Sequence, residues 1–376
     1  MIRTNPGAGA VRMALVAALL LATVLLAAGR APAAARGLAQ GEECAADATA
    51  SGGSPAAGAA AAASPAAAAE AAPPNVAFLP KDVENPYFVT AAGGAQEAAD
   101  EIGGEFQQVG PAAASASEQV TYIQTLTQQG VDAIVVSAND PDALAPSLQE
   151  AMAQGISVVS YDSDVAPDAR MAFVNQADSE EIGRSQVRIM GRLLSCEGEI
   201  AVLSAASTAT NQNAWIGFME DELTKPGYEN LELVEVVYGD DDQQRSYDRT
   251  VELLTAYPDL AGIISPTTVG IGAAAQALEA EGRGGDVQLT GLGLPNELRA
   301  YVESGTIQEF ALWNPIDLGY LAYYTAAALV DGTITGTAGE TFEAGRLGSY
   351  TIGEGGEIVL GPPFVFTAEN IGEFDF

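Results

Sequence analysis

With 376 residues, 48% of them hydrophobic, the chain carries enough apolar material for a large core and about two domains. Fifty acidic against 15 basic residues give a net charge of −35, which repels nucleic acid and anionic membrane surfaces, so no nucleic-acid partner is expected. There is no histidine, and the cysteines are Cys44 and Cys196, so Ser-His-Asp catalysis, Cys-His catalysis and imidazole-ligated zinc are excluded by inventory. The expectation is a protein that is not an enzyme and has no metal and no cofactor.

In chain order, Arg3 and Arg12 precede an apolar run from Met13 to Ala28, and small residues follow around Ala31 to Ala35. This is the anatomy of a secretory signal or anchor, residues 1–36, and it implies passage across the cytoplasmic membrane to the periplasm or cell surface. Residues 37–74, above all Ala45 to Pro74, are Ala, Gly, Ser and Pro with few large apolar side chains, a composition that supplies no core and reads as a tether. Cys44 lies at its start. The residues before it, Gly41-Glu42-Glu43, are not those of a lipidation site, which leaves a free thiol or a disulfide to Cys196 as its open readings.

From Asn75 onward short β-branched runs alternate with amphipathic stretches, the pattern of an α/β chain with parallel sheets. In the first block, strands are expected at Val76–Leu79, Ala133–Ser137 and Ser157–Tyr161. A helix is expected over Tyr87–Ile102, whose Phe88, Ala91, Ala95, Ala98 and Ile102 share a face. In the second block the strands are Ile200–Ser204, Leu231–Val237, Gly262–Ser265 and Val287–Gly291. Two Rossmann-like parallel-sheet lobes follow. Open parallel sheets bind ligands beyond the carboxyl ends of their strands, so the residues there are the ones to read for function.

Those ends carry Lys81 and Asn85, Asn139 and Asp140, Asp162 and Asp164, Asn211 and Gln212, and Thr267 and Thr268. Amides, hydroxyls and carboxylates pair with vicinal hydroxyls, and Tyr87, Phe88, Trp215 and Trp313 offer flat faces for the apolar side of a sugar ring. Each polar residue is also an ordinary helix cap or turn former, so only the recurrence points to a site for a polyhydroxylated ligand. Three motifs suggest other chemistry and are set aside. Gly270-Ile271-Gly272 with Ala275 matches a dinucleotide pattern, but a small-residue helix start explains it more cheaply. Asp162 and Asp164, two apart in an extended segment, point in different directions and make no hydrolytic pair. Asp240-Asp241-Asp242 lacks the spacing of a calcium loop and reads as a solvated turn capping a helix.

The segments V-A-F-L-P-K-D-V-E-N-P-Y-F (Val76–Phe88), S-A-N-D-P-D-A-L (Ser137–Leu144), S-Y-D-S-D-V (Ser160–Val165), T-N-Q-N-A-W-I (Thr210–Ile216), P-T-T-V-G (Pro266–Gly270), T-G-L-G-L-P (Thr290–Pro295) and W-N-P-I-D-L-G-Y (Trp313–Tyr320) resemble periplasmic sugar-binding proteins of ABC transporters. The similarity is greatest to rhamnose-binding proteins, and the frame also resembles Lsr-type autoinducer-2 binding proteins. The resemblance implies the type I periplasmic binding fold: lobe 1 at 75–175, lobe 2 at 176–312, a return to lobe 1 over 313–342, and a C-terminal segment 343–376 recrossing to lobe 2. Hinge crossovers between the lobes would let them close over a sugar and present it to a permease, with the protein acting as a monomer.

Carried over residue by residue, Lys81, Asp162, Gln212, Pro266 and Thr268 fall on ligand-contacting positions of the autoinducer-binding relatives, with Asn211 where those present Asp. In the ribose-binding relatives the positions of Asn85, Phe88, Asp162 and Trp313 face the sugar. Trp313 replaces a polar residue there, which suits the methyl group of a 6-deoxy sugar at about 1–2 kcal/mol if buried. Asn139 completes the expected set.

Overall fold

The computed structural model describes residues 73–376. The expected signal and the tether up to residue 72 lie outside the described residues. The first lobe runs β1 (Asn75–Leu79), α1 (Pro86–Ile102), β2 (Glu105–Gln108), α2 (Ala116–Gln129), β3 (Ala133–Val136), α3 (Pro141–Ala153), β4 (Ser157–Tyr161) and β5 (Ala172–Asn175). The second runs α4 (Ser179–Leu194), β6 (Glu197–Ser204), α5 (Thr210–Leu223), β7 (Asn230–Tyr238), α6 (Gln243–Ala256), β8 (Leu260–Ser265), α7 (Thr268–Ala280), β9 (Gln288–Gly291), α8 (Pro295–Ser304) and β10 (Phe310–Leu312). After these come α9 (Pro315–Val330), β11 (Thr341–Glu343), β12 (Ser349–Thr351), β13 (Glu357–Val359) and β14 (Phe364–Phe366).

The two sheets are parallel, ordered β2-β1-β3-β4-β5-β13 and β7-β6-β8-β9. Strands covered by helices on both faces need no polar alternation, and Ala133 to Val136 are accordingly all buried. β10 lies beside β9 through a bridge between Leu292 and Ala311, and pairs antiparallel with β14. The fold is therefore the expected α/β pair of lobes. Within the C-terminal segment, Glu357–Val359 pairs with β5 in the first sheet, and Phe364–Phe366 then pairs with β10. Main-chain pairing holds the segment there, through Ile358 against Val174, and no side-chain pattern announces it in so short a strand.

Local chemistry fixes the helix that matters most for the site. Asn85 caps α1 by accepting the Tyr87 N–H at 3.0 Å, Pro86 occupies the first helical position, and Gly103 ends the helix in a left-handed conformation with φ 72°. Of the expected apolar face, Phe88, Ala91, Ala95 and Ala98 are buried, whereas Ile102 in the last turn is 38% exposed. This helix crosses α9 at two glycines. A Cβ on Gly94 would lie 1.8 Å from the Ile316 carbonyl oxygen, and one on Gly319 would lie 1.8 Å from that of Ala91. Only hydrogen fits at either point, and Tyr87 at the start of α1 meets Trp313, just before α9, edge to face at 6.1 Å. Beneath α1, Tyr161 packs at 5.5 Å from Phe78 and 6.1 Å from Phe88, each buried ring contributing about 1.5–3 kcal/mol.

Candidate functional site

The carboxyl ends of β1, β3 and β4 from one lobe face those of β6, β7 and β8 from the other, and between them lies a cavity. Its lining contains nine of the ten expected residues: Lys81, Asn85, Phe88, Asp162, Asn211, Gln212, Pro266, Thr268 and Trp313. Tyr87, Trp215, Asp241, Thr267, Leu292 and Leu312 complete the wall.

Asp162 organises the first-lobe side. It follows β4 with φ 59°, a left-handed conformation that Asp tolerates better than most residues but that still costs of order 1 kcal/mol. Its Oδ2 accepts from Ser137 Oγ at 2.8 Å and lies 3.5 Å from the Lys81 ammonium. Its Oδ1 accepts from Tyr87 Oη at 3.3 Å and from the Asn211 amide at 3.5 Å, the latter reaching over from α5. Tyr87 in turn accepts from Trp313 Nε1 at 2.8 Å. Burial, reinforced by the Asp162 charge, pushes the Tyr87 phenol well above its usual range, so it remains a protonated donor. With both charges of the Lys81–Asp162 pair buried, these neutral donors satisfy lone pairs that would otherwise make the pair costly.

The second-lobe side is built differently. Gln212 spends its carbonyl oxygen on Ser204 Oγ and the Ala205 N–H, both at 2.8 Å, which pins the start of α5 to the end of β6. Trp215, one turn on, sits 6.0 Å from Trp313 with the rings tilted by 57°, so an aromatic corner joins the two lobes. Thr267 Oγ1 donates to Asp241 Oδ1 at 2.5 Å. Burial raises the Asp241 carboxyl above its ordinary range, and the Lys81 charge and the Thr267 bond oppose that only partly.

Asn139 stands outside this wall. Its amide donates to the Lys81 carbonyl at 2.9 Å, its own N–H is held by Gln119 Oε1 at 2.9 Å, and its carbonyl accepts from Thr208 of the other lobe at 2.9 Å. Its backbone N–H, backbone carbonyl and side-chain NH₂ are thus bonded to protein, and it braces the loop that carries Lys81. Asp140 and Asp164 also serve structure: Asp140 caps α3, and Asp164 holds Arg170 at 2.6 Å away from the cavity. The acidic turn after β7 is not wholly solvated. Asp242 caps α6 through the Arg245 N–H at 2.7 Å, while Asp240 and Asp241 both take left-handed conformations and Asp241 turns into the cavity wall. Gly270 sits inside α7, where a Cβ would meet Thr267 at 2.5 Å, so the glycine there serves packing. Cys196 is disulfide-bonded; Cys44 lies outside the described residues.

Residues 76–334 match the periplasmic binding protein domain, and the chain belongs to that family: it binds a solute and is not an enzyme. Within the family it stands among solute-binding proteins of ABC transporters. It is 47% identical to a sugar ABC transporter protein from Actinomyces odontolyticus, covering 81% of this chain and 98% of that one with a TM-score of 0.66. It is 42% identical to an ABC transporter solute-binding protein from Clostridium phytofermentas with bound L-rhamnose, with the same coverage and a TM-score of 0.78. LsrB from Clostridium saccharobutylicum in complex with AI-2 is 26% identical, with 80% of this chain and 99% of that one covered and a TM-score of 0.76. Among the described residues no helix is long and apolar enough to cross a membrane.

Proposed function

We propose that this protein captures a monosaccharide, L-rhamnose before others, between its two lobes and delivers it to the permease of an ABC importer. The observation that carries the reading is the cavity itself: a buried cation–carboxylate pair, Lys81 and Asp162, stands beside an aromatic corner of Phe88, Trp215 and Trp313. Vicinal hydroxyls bond to the polar pair, and the apolar edge and methyl group of a 6-deoxy sugar pack on the rings. The relative crystallised with L-rhamnose, at 42% identity over nearly its whole length, supports the choice of sugar.

Because both lobes reach the ligand, binding selects the closed arrangement, and the closed surface is what a permease would recognise. Contacts between the lobes already present, Thr208 to Asn139 at 2.9 Å and Ser163 to Thr210 at 3.2 Å, are those that closure makes. Secretion as a monomer on an N-terminal tether completes the reading. Autoinducer-2 is the second ligand to weigh, favoured by the similarity to LsrB and disfavoured by the neutral Asn211 beside Asp162. Calorimetric titration with L-rhamnose, D-ribose, D-arabinose and autoinducer-2 tests the ranking. L-rhamnose is expected to bind most tightly, and a strong response to autoinducer-2 with none to L-rhamnose overturns it.

A further inference from the structure

Asp241 belongs to the cavity wall for reasons that lie in the backbone. After β7 the chain takes two successive left-handed residues, Asp240 at φ 54° and Asp241 at φ 53°, before Asp242 caps α6. The reversal brings the Asp241 carboxylate beside Thr267, whose hydroxyl engages Oδ1 at 2.5 Å, and among the described residues Oδ2 has no hydrogen-bond partner. Of the described side chains lining the cavity, Lys81 is the one cation, while Asp162 and Asp241 are both acidic. Lys81 is already paired with Asp162 at 3.5 Å. A further feature of the same wall asks for an occupant: the Trp215 indole N–H is buried, with the residue 2% exposed, and has no hydrogen-bond partner among the described residues. An unpaired buried donor is costly unless a ligand supplies an acceptor.

We propose that Asp241 is a specificity-determining residue of the second lobe, a carboxylate that accepts ligand hydroxyls opposite Asp162 and makes the site select uncharged polyols over sugars that carry a carboxylate. The proposal rests on the reading of the cavity as a monosaccharide site and names the ligand's charge class. A hydroxyl both donates and accepts, so a neutral sugar can donate to Asp162 and Asp241 and still offer an oxygen to Trp215. A carboxylated sugar would bring its charge against the Asp162 and Asp241 carboxyl groups on either side of the site, where repulsion is only partly screened. Burial pushes the Asp241 carboxyl up, and the Lys81 charge and the Thr267 bond oppose it.

Calorimetry with L-rhamnose, D-ribose and the matched pair D-fucose and D-galacturonate, which differ at one carbon, tests this on the full-length protein and on Asp241→Asn. The wild type is expected to bind the neutral sugars, with D-galacturonate at least 100-fold weaker than the best of them. Asp241→Asn is expected to weaken the best neutral sugar at least tenfold and to narrow the gap to D-galacturonate. The ligand-free Tm of the variant, unchanged or raised, shows that it folds; should it fail to fold, the wild-type discrimination still decides. Neutral-sugar affinity unaltered in Asp241→Asn, or D-galacturonate bound by the wild type as tightly as its neutral partners, overturns the inference while leaving the sugar reading intact. No response to any of these sugars overturns both.

Discussion

The two walls of the cleft solve the same problem in different ways. The first-lobe wall is paired in advance: Asp162 accepts from Ser137, Tyr87 and Asn211 and faces Lys81, and Trp313 fixes the Tyr87 hydroxyl. The second-lobe wall keeps groups in reserve. Among the described residues Trp215 Nε1 has no partner, and the Asp241 carboxylate accepts only the bond from Thr267. A preorganised wall orients a ligand at little entropic cost, whereas a wall with unpaired buried groups gains its bonds only when a ligand arrives. On the proposed reading, the first lobe orients the sugar and the second gains its bonds when the lobes close.

The largest effect expected on this contrast is at Asp162. Asp162→Ala strands the buried Lys81 ammonium and removes the hub of the network, at a cost of about 3–5 kcal/mol in stability and the loss of measurable sugar binding. Chemical denaturation and calorimetry check the two parts. Retained binding would show that the first wall is not the orienting one.

Next is Glu222, at the far end of the α5 helix that carries Asn211, Gln212 and Trp215. Buried to 2% exposure, it is held by Lys225 at 2.6 Å and Arg184 at 3.1 Å, with Arg188 at 3.6 Å. Burial alone would raise its pKa, but these cations outweigh it and hold the carboxyl below its usual range. A depressed carboxyl stabilises the fold fully above the unfolded value, about 4.3, and that stabilisation is lost as pH falls through the lower folded value. Because its partners are partly exposed, Glu222→Gln is expected to cost about 2–3 kcal/mol near neutrality and to flatten the acid limb of the stability profile, as thermal melts between pH 7 and pH 3 would show. An unchanged acid limb would remove Glu222 as the anchor of the second wall.

The smallest effect is expected at Trp313. Trp313→Phe keeps an apolar ring but deletes the donor to Tyr87, weakening sugar binding about tenfold, the equivalent of a hydrogen bond worth ~1.4 kcal/mol, with little change in stability. Calorimetry with L-rhamnose reads this out, and an equal affinity would mean that the Tyr87 hydroxyl needs no help in facing Asp162.

Much of this architecture is legible in the chain because it is local. Buried runs such as Ala133–Val136 and the Asn85–Pro86 start of α1 declare themselves through neighbours a few residues away. The short strands β2, β5 and β13 do not. Glu105–Gln108 has no apolar run, and Glu357–Val359 becomes a strand because β5 offers it a free edge. Among the polar residues at strand ends, cap and ligand-facing residue look alike in sequence. Asp140 and Asn139 are adjacent, one capping α3 and the other bracing the Lys81 loop, while Asn85 both caps α1 and lines the cavity.

By itself the sequence determined the two-lobed α/β class, the exclusion of histidine-based chemistry, and most of the cavity wall, since strand-end position and residue type are written along the chain, with Pro266 added by the family resemblance. Only the tertiary structure decided that Asn139 supports the site from outside, that Glu357–Val359 pairs with β5, and that an acidic turn delivers Asp241 to the cleft. The physical reason is the same in each case. Which groups of a side chain remain free for a ligand depends on bonds to residues distant in sequence, and on left-handed backbone turns that residue type permits but does not require.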